Sequence, residues 1–439
     1  MPLQLDIEGL SHDGKGVARI AGKVCFVAGA LPGEAVTAIL RQARGRFDEY
    51  QLLRVREPAP ERVEPLCPLV GRCGGCDLQH LQAQAQLSHK TTSVLELLER
   101  QAGMVPDALV EPLRSAPFGY RRRARLAVYV PRRGGRVTLG FREAGGSRIV
   151  PVAHCPVLAP PLDTLPGTLQ AVLDRFQRPR DLGHVELSLS ESSDGVSRAL
   201  IYVRAVAAPE AADLARLESC AAELDAYLVL RAGDAPARWL HRPLPEAPAY
   251  DLPEFDLRIE YQPGDFLQGN AAVNRQLVSR VVEWLGGTPA QPGEGRVLDA
   301  FAGLGNFSLA LARRGCPVLG LEAQVDMVQR ARENATRNGL GNIEFQVRDL
   351  QDDPEPLRRE TFAAALLDPP RTGARRLVSE LAARAVPDVL YVSCWPPTLA
   401  RDAALLAGAG YRLARLSGVD MFPQTSHTEV LAQFTLRGT

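Results

Sequence analysis

Arg296-Val297-Leu298-Asp299-Ala300-Phe301-Ala302-Gly303-Leu304-Gly305-Asn306-Phe307-Ser308 reads as a strand, a tight glycine turn and the start of a helix. Gly303 and Gly305 carry no Cβ, so a ligand can approach backbone amides where that helix begins. The next apolar run, Val318-Leu319-Gly320-Leu321-Glu322, is a second strand. It ends in an acid about twenty residues after the turn, a spacing suited to holding a ribose diol. Nicotinamide-binding folds share this plan, but Ser308 stands where their third glycine would fall.

Two runs further along favour S-adenosylmethionine as the ligand. Phe345-Gln346-Val347-Arg348-Asp349 is a third strand with a terminal acid suited to an adenine amine. Leu366-Leu367-Asp368-Pro369-Pro370-Arg371 is a fourth, ending in Asp-Pro-Pro. Asp-Pro-Pro also serves enzymes that methylate exocyclic amines, so it leaves the target atom open.

The next strand narrows the choice. Val389-Leu390-Tyr391-Val392 stops at Ser393-Cys394, and Pro396 and Pro397 forbid further pairing. A helix is expected to restart with Thr398 as its N-cap. The Cys394 thiol is then presented at the carboxyl edge of the sheet, although a free cysteine is also a common core filler. An exocyclic amine needs no covalent activation, whereas carbon 5 of a pyrimidine becomes nucleophilic only after a thiolate adds at carbon 6. A base must afterwards remove the carbon-5 proton. Ser426-His427-Thr428-Glu429-Val430, opening the last strand, offers Glu429, with His427 as the rival.

Ahead of this α/β part, residues 1–57 show five short runs, Leu3–Ile7, Gly16–Ile20, Lys23–Val27, Ala35–Leu40 and Tyr50–Val55. Glycine-rich turns divide them, which fits an OB-like barrel. Arg41, Arg44, Arg46, Arg54 and Arg56 are available for phosphates. An amphipathic helix is expected over about 81–101, with Leu87, Val94, Leu95 and Leu98 on one face. Residues 112–262 read as mostly β with interspersed helices. Within them Arg121, Arg122, Arg123 and Arg125, followed by Arg132, Arg133 and Arg136, are expected to form a cationic row facing RNA.

Between barrel and helix lies Cys67-Pro-Leu-Val-Gly-Arg-Cys73-Gly-Gly-Cys76. Three thiols so close, with two glycines between the last pair, point to a metal centre. The spacing departs from paired zinc-ribbon units, although structural zinc stays open. An iron–sulfur cluster with Cys155 as the distant fourth ligand fits better. Cys25, Cys220 and Cys316 sit in apolar or helical surroundings and read as core.

Lys+Arg and Asp+Glu both number 51, so net charge excludes nothing. Residues 1–156 hold 22 basic and 15 acidic side chains, a difference of +7, so the remainder sums to −7. An anion-facing front portion follows. With no charged-then-apolar leader and no run of eighteen apolar residues, a cytoplasmic chain without membrane contact is expected. Eight cysteines in such a chain fit a reducing compartment.

Together these motifs resemble the bacterial RNA uracil-5 methyltransferases, specifically the iron–sulfur type acting on 23S ribosomal RNA. Ser11-His12-Asp13-Gly14-Lys15-Gly16-Val17-Ala18-Arg19 and Leu31-Pro32-Gly33-Glu34 resemble the TRAM domain of RNA-modifying enzymes. The resemblance implies a TRAM barrel over 1–57, a central α+β domain with the cluster over 58–262, whose helix over about 81–101 is expected to pack on the catalytic domain, and a Rossmann-like class I methyltransferase domain over 263–439. It implies a 4Fe–4S cluster on Cys67, Cys73, Cys76 and Cys155. Donor contacts are implied at Gln268, Phe301, Asn306, Glu322, Asp349 and Asp368, with Cys394 as nucleophile and Glu429 as proton acceptor. A monomer is expected. Other expectations are methylation of another pyrimidine, in tRNA or at cytosine, or a non-catalytic ribosome-assembly role. One residue departs from the family pattern of Ser-Cys-Asn-Pro: Trp395 follows Cys394. Trp cannot accept a hydrogen bond as Asn does, but its ring can stack on a base.

Overall fold

A computed structural model describes residues 1–131, 136–285, 295–350 and 360–437. The expected turn residues Arg132 and Arg133 lie outside these.

Residues 3–57 form six strands: Leu3–Asp6, Gly9–Leu10, Lys15–Ile20, Lys23–Ala28, Ala35–Ala43 and Phe47–Glu57. Their spatial order is first, fifth, sixth, fourth, third, second. The two edge strands, Leu3–Asp6 and Gly9–Leu10, are consecutive in the chain, the order that an OB-like roll of one curled sheet uses. Ile20 pairs with Lys23 across Ala21 and Gly22. Both turn residues have positive φ, as a two-residue hairpin requires. Cys25, Val27, Val36 and Ala38 are fully buried and fill the interior. The Leu31–Glu34 stretch has a structural task. The buried Glu34 carboxylate accepts from Leu31 N at 2.8 Å, Ala59 N at 3.3 Å and Arg62 Nε at 2.5 Å, pinning the barrel to the following linker.

A seven-stranded sheet runs Ile149–Pro151, Thr138–Arg142, Arg123–Tyr129, Leu182–Glu191, Ser197–Ala205, Tyr227–Ala232 and Arg238–His241. All neighbours are antiparallel except the pair joined through helix Ala211–Glu223. That helix and Leu165–Leu173 cover one face, burying Leu165, Leu169, Leu173, Leu217 and Cys220 with it.

The C-terminal sheet has eight strands, ordered Ile343–Val347, Val318–Glu322, Arg296–Ala300, Phe362–Leu367, Asp388–Ser393, Glu429–Leu436, Tyr411–Val419 and Ala108–Leu113. The first five are parallel and Glu429–Leu436 is antiparallel to both neighbours. Chain order reverses at Arg296–Ala300, the place where a doubly wound sheet opens a ligand crevice. The last strand comes from far upstream, and its Pro112 is tolerated because it lies on the sheet's edge. The long helix spans Ala83–Ala102 and also packs here: Val94 and Leu98 are buried with Leu399, Ala403 and Leu406. Residues 83–113 thus extend the C-terminal sheet although they precede the middle one. Among the described residues no helix is long and apolar enough to cross a membrane.

Candidate active site

Strand register assembles the site. Ala300 lies level with Leu321 on one side and Leu367 on the other. The residues that follow them, Phe301, Glu322 and Asp368, therefore leave the sheet at one height. Ser393 faces Val430 in the antiparallel pair, so Cys394 and Glu429 are the next two positions of that ladder. All eight residues expected from the sequence for donor and base chemistry, Gln268, Phe301, Asn306, Glu322, Asp349, Asp368, Cys394 and Glu429, line one cavity of about 860 Å³.

In its donor half, Phe301, Gly303 and Gly305 all adopt positive φ, at +67°, +57° and +90°. The glycines do so freely. Phe301 does not, and such a conformation costs about 1–3 kcal/mol; nothing in the local sequence announces it. A Cβ on Gly305 would lie 3.0 Å from Leu309 and 3.1 Å from Phe345. Ser308 Oγ donates to the buried Asp299, which accounts for a hydroxyl where a dinucleotide fingerprint has glycine. Glu322 accepts from Gly303 N at 3.2 Å and Gln324 N at 3.0 Å, so its carboxylate is locked to the turn. Asn306 is held by Tyr250 Oη at 3.0 Å and by reciprocal bonds with Asn274.

The arginine run divides. Arg122, expected in a solvent-facing row, is buried; its Nε donates to Gln268 O at 2.8 Å and its guanidinium lies 4.5 Å from the Tyr250 ring centre. Arg123 donates to Asp265 O at 2.9 Å, and Arg136 pairs with Asp174 at 2.7 Å. Arg122, just ahead of the strand Arg123–Tyr129, turns inward, while Arg121 and Arg123 are half-buried and Arg125 is exposed. Two of these side chains therefore brace the loop that presents Gln268, whose Nε2 donates to Asp368 at 3.2 Å.

On the other side, the helix after Cys394 spans Pro396–Gly408 with Trp395 as N-cap. Thr398 is not the cap. Both prolines occupy the first turn, where their missing N–H groups cost nothing. Buried Asp402 accepts from Ala374 N at 2.8 Å and Tyr391 Oη at 2.9 Å, fixing this helix to the Asp-Pro-Pro loop. Trp395 is not among the cavity residues. Its ring meets His12 of the barrel edge-to-face at 6.1 Å and carries the Arg371 guanidinium at 5.3 Å.

Burial pushes the Cys394 thiol up to about 11, helped by the charges of Glu429 and Asp368 and opposed by Arg371. Burial also raises Asp299 and Asp368 to about 7 and, with Asp368 beside it, Glu429 to about 8. Glu429 is 5% exposed and its Oε2 has no hydrogen-bond partner among the described residues. It is no solvated strand-end acid. His427 is exposed, and its Nδ1 accepts from Arg371 Nη2 at 2.9 Å.

Cys67, Cys73, Cys76 and Cys155 line a second cavity of about 200 Å³. Among the described residues no three His, Cys, Asp or Glu side chains stand close enough to hold a metal ion, so a metal centre is not shown. Gly74 N donates to Arg142 O at 2.9 Å, and a Cβ there would sit 3.1 Å from that oxygen, which explains the glycine. Gly75 and Arg121 line both cavities and form the wall between them.

Residues 82–434 match the tRNA (Uracil-5-)-methyltransferase family model and residues 3–50 match the TRAM domain. The 23S rRNA (uracil(1939)-C(5))-methyltransferase RlmD of Pseudomonas aeruginosa is 42% identical over 437 residues, 98% of this chain and 93% of that protein. Its namesake in Alkalilimnicola ehrlichii is 40% identical over 438 residues, 99% and 96% of the two chains. The Pyrococcus abyssi tRNA (uracil-54, C5)-methyltransferase, solved with S-adenosyl-L-homocysteine, shares the fold at a TM-score of 0.72 and 24% identity, covering 98% of this chain and 99% of that one. With nearly its whole length aligned to these relatives, the chain belongs to the RNA uracil-5-methyltransferase family and carries an N-terminal TRAM domain.

Proposed function

We propose that this enzyme transfers a methyl group from S-adenosylmethionine to carbon 5 of a uridine in 23S ribosomal RNA. One observation carries the chemistry: a thiol and a buried carboxyl, with one oxygen unpaired among the described residues, occupy the cavity that the donor turn opens into. The extent of identity to relatives named for 23S rRNA supports the substrate. The target base must leave the stack, because stacking covers the face that is attacked.

Cys394, as thiolate, forms a bond to carbon 6, and the electron pair of the C5=C6 bond moves to an enolate. Carbon 5 then attacks the donor methyl, breaking its bond to sulfur. Glu429 takes the carbon-5 proton; the C5=C6 bond re-forms and expels the Cys394 thiolate. Gln268, Phe301, Asn306, Glu322, Asp349 and Asp368 hold the donor and orient the base. Exposed Arg41, Arg44, Arg46, Arg54 and Arg56 on the barrel meet RNA phosphates.

A 4Fe–4S cluster on Cys67, Cys73, Cys76 and Cys155 belongs to the same reading, supported by the shared cavity and by the absence of any carboxylate from its lining. It supplies no step of the methyl transfer and acts as a structural tie.

Ribosomal RNA fragments carrying 5-fluorouridine test the proposal, since fluorine cannot leave as a proton. A donor-dependent, denaturation-resistant adduct, absent in Cys394→Ala, is expected. Donor binding with no adduct would move the target to another base, and nucleoside digestion for 5-methyluridine against 5-methylcytidine would name it.

A further inference from the structure

Glu429 is reached through the segment Asp420–Thr428, and that segment has almost no regular structure of its own. Its placement comes from partners far away in the chain. Lys90 Nζ donates to Asp420 at 2.8 Å and Phe422 O at 3.1 Å, and Tyr120 Oη donates to Pro423 O at 2.8 Å. Gln424 is the tightest point. It is a buried non-glycine residue at φ +71°, a conformation that persists only where the surroundings impose it.

The residue after the last cysteine of the cysteine-rich loop does much of that imposing. Asp77 N and Leu78 N both donate to Gln424 O, at 3.2 and 3.0 Å. The Asp77 carboxylate in turn accepts from Ser426 N and Ser426 Oγ, each at 2.6 Å. Gln86, fully buried, exchanges bonds with Gln424 at 2.8 and 3.1 Å and ties Leu78 O and Leu81 O to the same knot. The barrel closes it from a third side: a Cβ on Gly14 would lie 3.0 Å from Leu78 and 3.2 Å from Ser426. Only His427 and Thr428 separate this clamp from Glu429.

We infer that Asp77 is a positioning residue for Glu429, and that the cysteine loop sets the geometry of proton removal through the Asp77–Gln424–Ser426 clamp. This rests on the reading of Glu429 as the base. Of the three covalent steps, only the last uses Glu429: the C5–H bond breaks, the proton passes to the carboxylate, and the returning electron pair expels Cys394. Loosening the clamp should therefore slow release of the adduct and spare its formation. A carboxylate that merely solubilises an exposed loop would affect neither.

The test is single-turnover reaction of full-length Asp77→Ala with ordinary uridine RNA, scoring the denaturation-resistant methylated adduct over time. The adduct should form at a rate within about threefold of wild type and resolve about 10–100-fold more slowly, a part of the range that general-base catalysis contributes. Asp77→Asn, which keeps one acceptor for Ser426, should recover part of the loss. Hydrogen exchange of amides 424–428 should quicken in Asp77→Ala and in Cys76→Ser, with donor affinity unchanged in the former. Ser426→Ala, which loses only the hydroxyl bond, should fall between Asp77→Ala and wild type and serves if Asp77→Ala does not fold. Resolution at the wild-type rate, or equal slowing of both phases, overturns the inference. Failure of wild type to trap 5-fluorouridine RNA would instead overturn the underlying carbon-5 reading.

Discussion

Half-buried Asp368 and buried Glu429 face one cavity, and the charge of Asp368 adds to burial in pushing Glu429 up to about 8. In the free enzyme at neutral pH, then, Glu429 is largely protonated and must lose its proton before it can act as a base. Cys394, raised to about 11, has to become a thiolate as well. Both requirements have the same sign. The value of kcat/KM should climb from pH 6 to pH 9 with no acidic optimum, and a bell centred below pH 7 would contradict the assignment.

Donor binding should carry the same signature. S-adenosylmethionine has a sulfonium cation and S-adenosylhomocysteine a neutral thioether, so only the former gains from ionised Asp368 and Glu429. Titration calorimetry between pH 6 and 8.5 should show methionine-form affinity rising with pH and proton release on binding. The homocysteine form should change less. Parallel pH dependence of the two ligands would remove the carboxyls from the sulfonium's surroundings.

Glu429→Gln separates catalysis from folding. Adduct should form yet persist, with turnover lowered about 10²–10⁴-fold. For stability, a carboxyl whose folded value is raised holds its proton longer in the folded than in the unfolded chain. Its contribution is complete below about pH 4.5 and is lost as pH rises towards 8. The substitution keeps the shape and removes the buried charge. Glu429→Gln should therefore be more stable than wild type at pH 8, by about 1–3 kcal/mol, and the gap should close at pH 5. Equal melting temperatures at pH 8 would count against a buried Glu429.

Trp395→Asn restores the family pattern and removes two ring contacts, to His12 and Arg371. A cation over an aromatic ring contributes about 0.5–1 kcal/mol at an exposed site, or roughly 2–5-fold in affinity. RNA affinity should fall by that factor while donor affinity holds. A change confined to donor binding would contradict a role for Trp395 in RNA binding.

Arg122→Met tests the inward-turned arginine. Loss of its bond to Gln268 O should loosen the loop and weaken donor binding about tenfold, within the worth of one hydrogen bond to a charged group. Arg125→Met, on the outward face, should leave donor binding unaltered. Equal effects would mean that Arg122 does not brace Gln268.

The features legible in the sequence are those written in adjacent residues. Gly303 and Gly305 between a strand and a helix announce the donor turn, Asp-Pro-Pro and Ser-Cys mark strand ends, and two glycines between Cys73 and Cys76 mark a loop able to fold back on itself. Each follows from what one stretch of chain can do sterically, whatever surrounds it. Tertiary structure alone decided the rest. Arg121–Arg123 read as one cationic row until the fold turned Arg122 inward. Trp395 is a local departure from the family pattern, and only the fold brings its ring against His12 and Arg371. Glu429 is offered as a base by its place after Ser-His-Thr, but its raised pKa comes from burial and from Asp368, sixty-one positions earlier in the chain (429 − 368). Burial and charge are properties of what lies nearby in space, and neighbours distant in the chain leave no local pattern to read.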